Sequence, residues 1–259
     1  MKHIIFYVSV SMIAIFMVIL IRSHDEKSTP MLLTVQTDYT YLYQASEDIR
    51  IPLYLNLKEH PLTDIHLYQQ TSLQNEAGTK KIELHLTSIQ KGHKEHYLND
   101  VYQVYELIFE MPYLASYYYL EDAYLSIYLE NDDTYLFYVG RFEIDYEKGS
   151  SEALDWYELY GFKKENDFTS RLHIIHLAYH KMDVMIETIK IGQHQLVDHH
   201  ILDDHLSIEI SYEAYLLYQC PIYIYFVDGS MQSISNFRFF MDYQILKESS
   251  LLIHHYGLS

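Results

Sequence analysis

The tightest constraint on this chain is a run in which every second residue is apolar. Ile49, Ile51, Leu53, Leu55 and Leu57 alternate with Arg50, Pro52, Tyr54 and Asn56. Successive side chains of a strand point to opposite faces, so strict alternation predicts a strand with one face in a core. Pro52 has no N–H to give to a ladder, which predicts a sheet edge or a bulge at that position.

The same period recurs. Leu32, Thr34 and Gln36 open the series, and Ile65, Leu67 and Gln69 form a shorter run. Ile82, Leu84 and Leu86 follow the turn signal Gly78-Thr79-Lys80, and Tyr105, Leu107, Phe109 and Met111 are stopped by Pro112. Ala123, Leu125, Ile127 and Leu129 lead through Asn131-Asp132-Asp133 into Tyr135, Phe137 and Val139, with Phe142 and Ile144 beyond Gly140. Many short strands separated by turns predict a two-sheet, immunoglobulin-like β-sandwich. The Cys…Trp…Cys pattern of antibody domains is absent, so the expectation concerns architecture and not that family.

A second series begins after the small-residue cluster Gly149-Ser150-Ser151. It runs through Leu154, Tyr157 and Leu159; Leu172, Ile174 and Leu177; Val184 and Ile186; Ile189 and Ile191. Leu206, Ile208 and Ile210 come next, then Ile222, Ile224 and Phe226, the hairpin signal Asp228-Gly229-Ser230, and Ile234, Phe237, Phe239 and Met241. At an offset of 97, residues 127–146 and 224–243 share Ile127/Ile224, Tyr128/Tyr225, Arg141/Arg238, Phe142/Phe239, Asp145/Asp242 and Tyr146/Tyr243. Two readings fit: an internal repeat about one sandwich domain long, or two hairpins of similar composition. The expected fold is all-β, with tandem sandwich domains at 31–147 and 153–248. A linker fills 148–152, and 249–259 is a C-terminal tail holding Leu251-Leu252-Ile253.

Ahead of these lies Ile4–Ile21, uncharged throughout and with Ser9 and Ser11 as its plainly polar residues. A helix of that length rises roughly 27 Å, close to the hydrocarbon thickness of a bilayer. The exit Leu20-Ile21-Arg22-Ser23-His24 lacks a small-x-small cleavage pattern. The stretch therefore reads as a retained transmembrane anchor over 1–22 in preference to a cleaved signal. Residues 23–30 are a polar linker ending in Pro30. Lys2 on one flank and Arg22 and Lys27 on the other leave orientation nearly tied. A large folded part behind an N-terminal anchor is expected outside the cytoplasm, at the plasma membrane, in a single-pass chain.

Composition narrows the function. Tyrosine stands at 28 copies, which suits pleated, half-buried surfaces. A formal net charge of −18 repels phosphate backbones, so nucleic acid is excluded as a partner. The single cysteine, Cys220, forms no disulfide within the chain and reads as a buried thiol beside Pro221.

Two histidine-rich stretches carry the sharpest chemistry. One holds His173, His176 and His180. The other holds His194, Asp198, His199, His200, Asp203, Asp204 and His205. Imidazole and carboxylate suit a divalent metal if three or four converge. The competing reading is a polar inter-strand loop facing water. Tyr117-Tyr118-Tyr119, with Tyr113 and Tyr124, fits a sugar-stacking platform or aromatic cover for a sheet edge. Asn131–Thr134 reads as a turn before a calcium loop. No nucleophile elbow, HExxH, Walker loop or Rossmann fingerprint occurs. The expectation is a non-catalytic, membrane-anchored binding protein for a cell-surface ligand, without a cofactor. The alternatives are an accessory subunit of another membrane protein, and a metal-dependent hydrolase built on residues 194–205.

Overall fold

The computed structural model describes residues 29–43, 47–146, 151–163, 171–211, 215–239 and 244–258. The apolar run Ile4–Ile21 lies outside them, as do Gly149, Ser150 and Met241. Among the described residues no helix is long and apolar enough to cross a membrane.

The chain is mostly β-sheet. Its first half holds β1 (Met31–Val35), β2 (Thr37–Leu42), β3 (Asp48–Leu55), β4 (Tyr68–Gln74), β5 (Lys81–Tyr97), β6 (Asp100–Glu110), β7 (Tyr118–Leu129) and β8 (Thr134–Asp145). The second half holds β9 (Leu154–Phe162), β10 (Ile174–Met182), β11 (Ile186–Ile191), β12 (Gln195–Val197), β13 (His199–Ile201), β14 (His205–Glu209), β15 (Gln219–Phe226) and β16 (Met231–Arg238). A one-turn helix α1 (Ile245–Glu248) and β17 (Ile253–Gly257) follow.

In the first half the strands run β17-β1-β3-β6-β5-β4-β7-β8-β2. This order folds onto itself because β5 changes partner. Lys81–Leu84 pair with β4, and from His85 onward β5 pairs with β6. Ile49, Ile51, Leu53, Leu107 and Phe109 from one layer meet Leu125, Ile127, Phe137 and Phe142 from the other in a single buried cluster. The alternating run at 49–57 thus supplies one wall of a core. β1 covers β3 only at Tyr54 and Leu55, so Pro52 faces no partner strand on that side among the described residues.

β1 and β2 are one extended segment split at Gln36. β1 pairs antiparallel with β3, whereas β2 pairs parallel with β8 in the other layer. That close approach requires Gly140. Its φ is +118°, and a Cβ there would stand 2.2 Å from the Thr37 carbonyl oxygen. The inward set on β8 shifts at this residue, from Phe137 and Val139 to Phe142 and Ile144.

The second half forms two four-stranded sheets, β13-β14-β10-β9 and β12-β11-β15-β16. Ile175, Leu177, Leu206 and Ile208 of the first pack on Ile189, Ile191, Ile222 and Ile224 of the second. Two hairpins related by the offset of 97 share their geometry. Ile127 opposes Tyr135 as Ile224 opposes Gln232. Leu129 N–H donates to Asp133 O at 3.0 Å, as Phe226 N–H does to Ser230 O at 3.0 Å. Asp132 and Gly229 occupy the same left-handed position, at φ +67° and +82°.

Three expectations are revised. Ile65–Leu67 is a single 3-10 turn and not a strand, because Asp64 Oδ1 accepts from His66 N–H and caps it; the strand starts at Tyr68. Ile174 points away from the core, which is filled by Ile175 and Leu177. The segment read as a C-terminal tail is strand β17, which pairs antiparallel with β1 from Met31↔Gly257 to Val35↔Ile253. Leu258 enters the first core with Tyr256 packed against it, and this burial holds the strand in place.

A third apolar cluster ties the halves together. Leu33, Val35, Tyr54, Tyr102 and Val104 cover the outer face of β1, β3 and β6, and Leu216, Ile245 and Leu246 pack on them.

Candidate functional site

On β8, Arg141, Glu143 and Asp145 alternate with Phe142 and Ile144, so a charged face lies opposite the core. Parallel pairing sets Asp38 of β2 beside Arg141 and Thr40 beside Glu143. The β11–β12 turn of the second half covers this face. Gly192 sits there at φ +57°, where a Cβ would come 3.0 Å from Thr40 Oγ1. Gln193 Nε2 donates to Asp145 Oδ2 at 2.5 Å and its Oε1 accepts from the Tyr225 hydroxyl at 3.2 Å. Cys220 Sγ donates to the Asp38 carbonyl at 3.1 Å, so the thiol is buried and its ionisation is pushed far up by burial. Leu216 exchanges backbone hydrogen bonds with Gln36 and Asp38.

Two acids are buried by this docking. Asp38, 2% exposed, accepts from Thr40 Oγ1 at 2.7 Å and from Arg141 Nη1 at 3.3 Å. Burial still raises its pKa, against the pull of Thr40 and Arg141. Glu143 is fully buried, and neither carboxylate oxygen has a well-aligned hydrogen-bond donor. His194 Nε2 stands 2.9 Å from Oε2, and the Tyr117 hydroxyl is a second polar neighbour. Burial pushes the Glu143 carboxyl up to about 7. Burial, aided by the Arg141 charge, lowers the His194 pKa, so both partners are held toward their neutral forms.

Above these acids opens a cleft of about 400 Å³ lined by Asp38, Arg141, His194, Gln195, Ser211 and Tyr215, with Leu196 at its edge. The Arg141 guanidinium lies 4.3 Å from the Tyr215 ring centre, and its Nε is buried without a partner. Tyr119 packs on His194 at 5.0 Å and on Tyr117 at 6.4 Å. Part of the tyrosine run therefore borders the cleft. A junction between packed units, polar groups converging with aromatic faces, and perturbed acids are the marks of a small-molecule site.

The candidate metal ligands do not gather. His194 is at this junction. Asp198 is exposed between β12 and β13. His199 opposes Ile208 on the core side of its sheet, while His200 lies outward, 3.7 Å from Glu209 Oε1. Asp203 is in an exposed turn. His205 Nδ1 bonds Asp204 Oδ1 at 2.6 Å, and its ring lies 4.4 Å from His176. His180 stacks on Tyr157. Short edge strands turn neighbouring residues to opposite faces, and among the described residues no three His, Cys, Asp or Glu side chains converge on a metal position.

No protein-family model matches the chain, and a comparison with curated proteins matches none. Among the solved structures it matches is the Bacteroides ovatus mixed-linkage glucan utilization locus (MLGUL) SGBP-B in complex with mixed-linkage heptasaccharide, at 9% identity and a TM-score of 0.23. That match covers 78% of this chain, which spans 43% of the other structure's length. A likeness of this size carries no argument about ligand.

Proposed function

We propose that this chain is a non-catalytic binding protein, held at a membrane by Ile4–Ile21, whose two immunoglobulin-like sandwiches form a binding cleft where they meet. Support for the sandwich assignment comes from strand order. Setting aside the edge strands β17, β2 and β12, β1-β3-β6-β5 faces β4-β7-β8, and β9-β10-β14-β13 faces β11-β15-β16, each in the four-against-three order of that architecture. The equivalent terminal hairpins support reading the halves as a repeat.

The observation that carries the binding assignment is the buried Nε of Arg141, partnerless at a cleft that also holds His194 and Tyr215. Buried polar groups are nearly always hydrogen-bonded, and a polar ligand provides the missing acceptor. Asp38 already balances Arg141, and burial holds Glu143 toward its neutral form. A cleft so balanced suits a small uncharged ligand that presents hydroxyls and an apolar face.

The test is a binding screen of neutral saccharides, polyols and amides by calorimetry, repeated with Leu196→Trp. Leu196 is 67% exposed at the rim, so a larger ring there blocks the cleft without disturbing the buried groups. A hit abolished by Leu196→Trp supports the assignment. Hits indifferent to it, or ions preferred over neutral compounds, refute it. Protease access to the folded part in intact cells tests the extracytoplasmic placement.

A further inference from the structure

The hairpin joining β5 to β6 ends in a two-residue turn, Leu98-Asn99, closed by the pair Tyr97↔Asp100. Leu98 stands at φ +52°. The first central position of such a turn favours glycine, and a left-handed backbone is costly for any residue with a Cβ. Leu98 is also 82% exposed. Neither turn geometry nor core packing therefore accounts for a leucine here. Its neighbours extend the apolar surface. Val101 is 43% exposed on one face of the hairpin. Tyr97 lies on the other face, its ring 6.4 Å from Tyr102 and 5.7 Å from His255 of β17. The turn carries no charge, and Asp100 behind it is half-buried.

The strand register fixes which way this tip points. Leu32 opposes Leu55, and Leu55 opposes Gln103, so β1 and β6 run the same way with Leu32 and Gln103 level. β6 begins three residues before Gln103, at Asp100, and the turn precedes it. At ~3.3 Å per residue the apex lies roughly 13–16 Å beyond the level of Leu32, on the side from which the chain enters β1. On that same side is Ile4–Ile21. Thr29, where the described residues begin, is seven residues from Arg22. Fully extended, such a tether spans at most about 25 Å. The tip bridges more than half of that distance.

We propose that this hairpin tip is a second contact with the bilayer, in which Leu98 enters the interface with Val101 and the Tyr97 ring behind it at headgroup level. The inference rests on Ile4–Ile21 being a membrane anchor. The short tether brings the tip to the lipid, and insertion removes from water the apolar surface that the fold leaves exposed. For a chain of formal net charge −18, the lipid suited to this contact is zwitterionic. The contact sets the tilt of the first sandwich over the membrane, and with it the direction in which the junction cleft opens.

The full chain is reconstituted in phosphatidylcholine nanodiscs and carries a thiol-linked fluorophore at one of three positions. Asn99→Cys places it beside the native Leu98, Glu76→Cys places it on the exposed β4–β5 turn, and Ser11→Cys places it within the apolar stretch. Cys220 is buried and stays in place. Quenching by doxyl-labelled lipid should be at least about threefold stronger at Asn99→Cys than at Glu76→Cys, since an interfacial residue sits within roughly 5–10 Å of the acyl boundary. Adding Leu98→Asn should bring the Asn99→Cys signal down to that of Glu76→Cys. The melting temperature should not fall, because asparagine accepts the left-handed backbone. Ser11→Cys should be quenched throughout. Quenching at Ser11→Cys without quenching at Asn99→Cys would overturn the tip contact and leave the anchor standing. No quenching at Ser11→Cys would overturn both. Quenching at Asn99→Cys that survives Leu98→Asn would show that Leu98 does not make the contact.

Discussion

Replacing Glu143 with glutamine should make the protein more stable at neutral and alkaline pH and leave it nearly unchanged in mild acid. The side chain is fully buried at the junction, and burial moves its carboxyl from 4.5 up to about 7. That difference corresponds to ~3 kcal/mol against the charged form. A carboxyl raised in the folded state favours folding below its unfolded value and loses that advantage as pH climbs through the folded value. The cost of Glu143 is therefore absent below about pH 4.5, grows toward about pH 7 and is fully present above it. His194 works in the opposite direction. Its lowered pKa penalises protonation, so its contribution is lost as pH falls below 6.5. Glutamine keeps the shape of Glu143 and can still donate to the His194 ring, but cannot ionise. At ~2–4 °C per kcal/mol for a chain of this size, the variant should melt about 6–12 °C higher near pH 8 and within a degree or two near pH 5. Scanning fluorimetry of both proteins across that range reads the difference directly. A difference that is the same at both ends, or a variant less stable at alkaline pH, would refute the assignment of an ionising acid to this buried position.

Gly140→Ala should destabilise by ~3 kcal/mol or more, because the left-handed backbone and the Thr37 carbonyl leave no room for a Cβ. An unshifted urea midpoint would show that β2 does not approach β8 so closely. Arg141→Met leaves Asp38 buried without its counter-charge and should cost ~3–5 kcal/mol, most of it recovered by adding Asp38→Asn. A double variant no better than the single would break that pairing. Zinc titrated into the purified chain should leave the melting temperature unchanged, since the histidines of residues 194–205 do not converge. Stoichiometric zinc uptake with a raised melting temperature would restore the hydrolase alternative.

Strand content was legible because alternation is local. Ile49 to Leu57, Ile82 to Leu86 and Ala123 to Leu129 each show their buried face without reference to any other part of the chain. β2 was not read, because in Thr37–Leu42 both faces are covered and no alternation of polarity survives. β12 and β13 are three residues each, too short to show a period. The histidines stood out by chemistry, yet their directions depend on which edge strand each occupies. Nothing in the sequence separates Arg141, Glu143 and Asp145 from the solvated face of any other strand. Only the β11–β12 turn, some fifty residues away in sequence, turns that face into a buried site. Cys220 was placed correctly as a buried thiol because its apolar neighbours are adjacent in sequence.

The pairing of β17 with β1 also decides how the molecule carries load. Leu258 N–H donates to Pro30 O at 2.9 Å, so the chain leaves the first layer at nearly the point where it entered. A pull between a tether at residue 30 and a partner gripping residue 258 meets that edge ladder end-on. The ladder opens one rung at a time, like a zip, instead of resisting in shear. The whole stretch from β9 to β16 sits off the line of tension until β17 has peeled away. Force exerted through these points would be relieved at the Met31–Gly257 end first, with the β11–β12 turn still seated on β8.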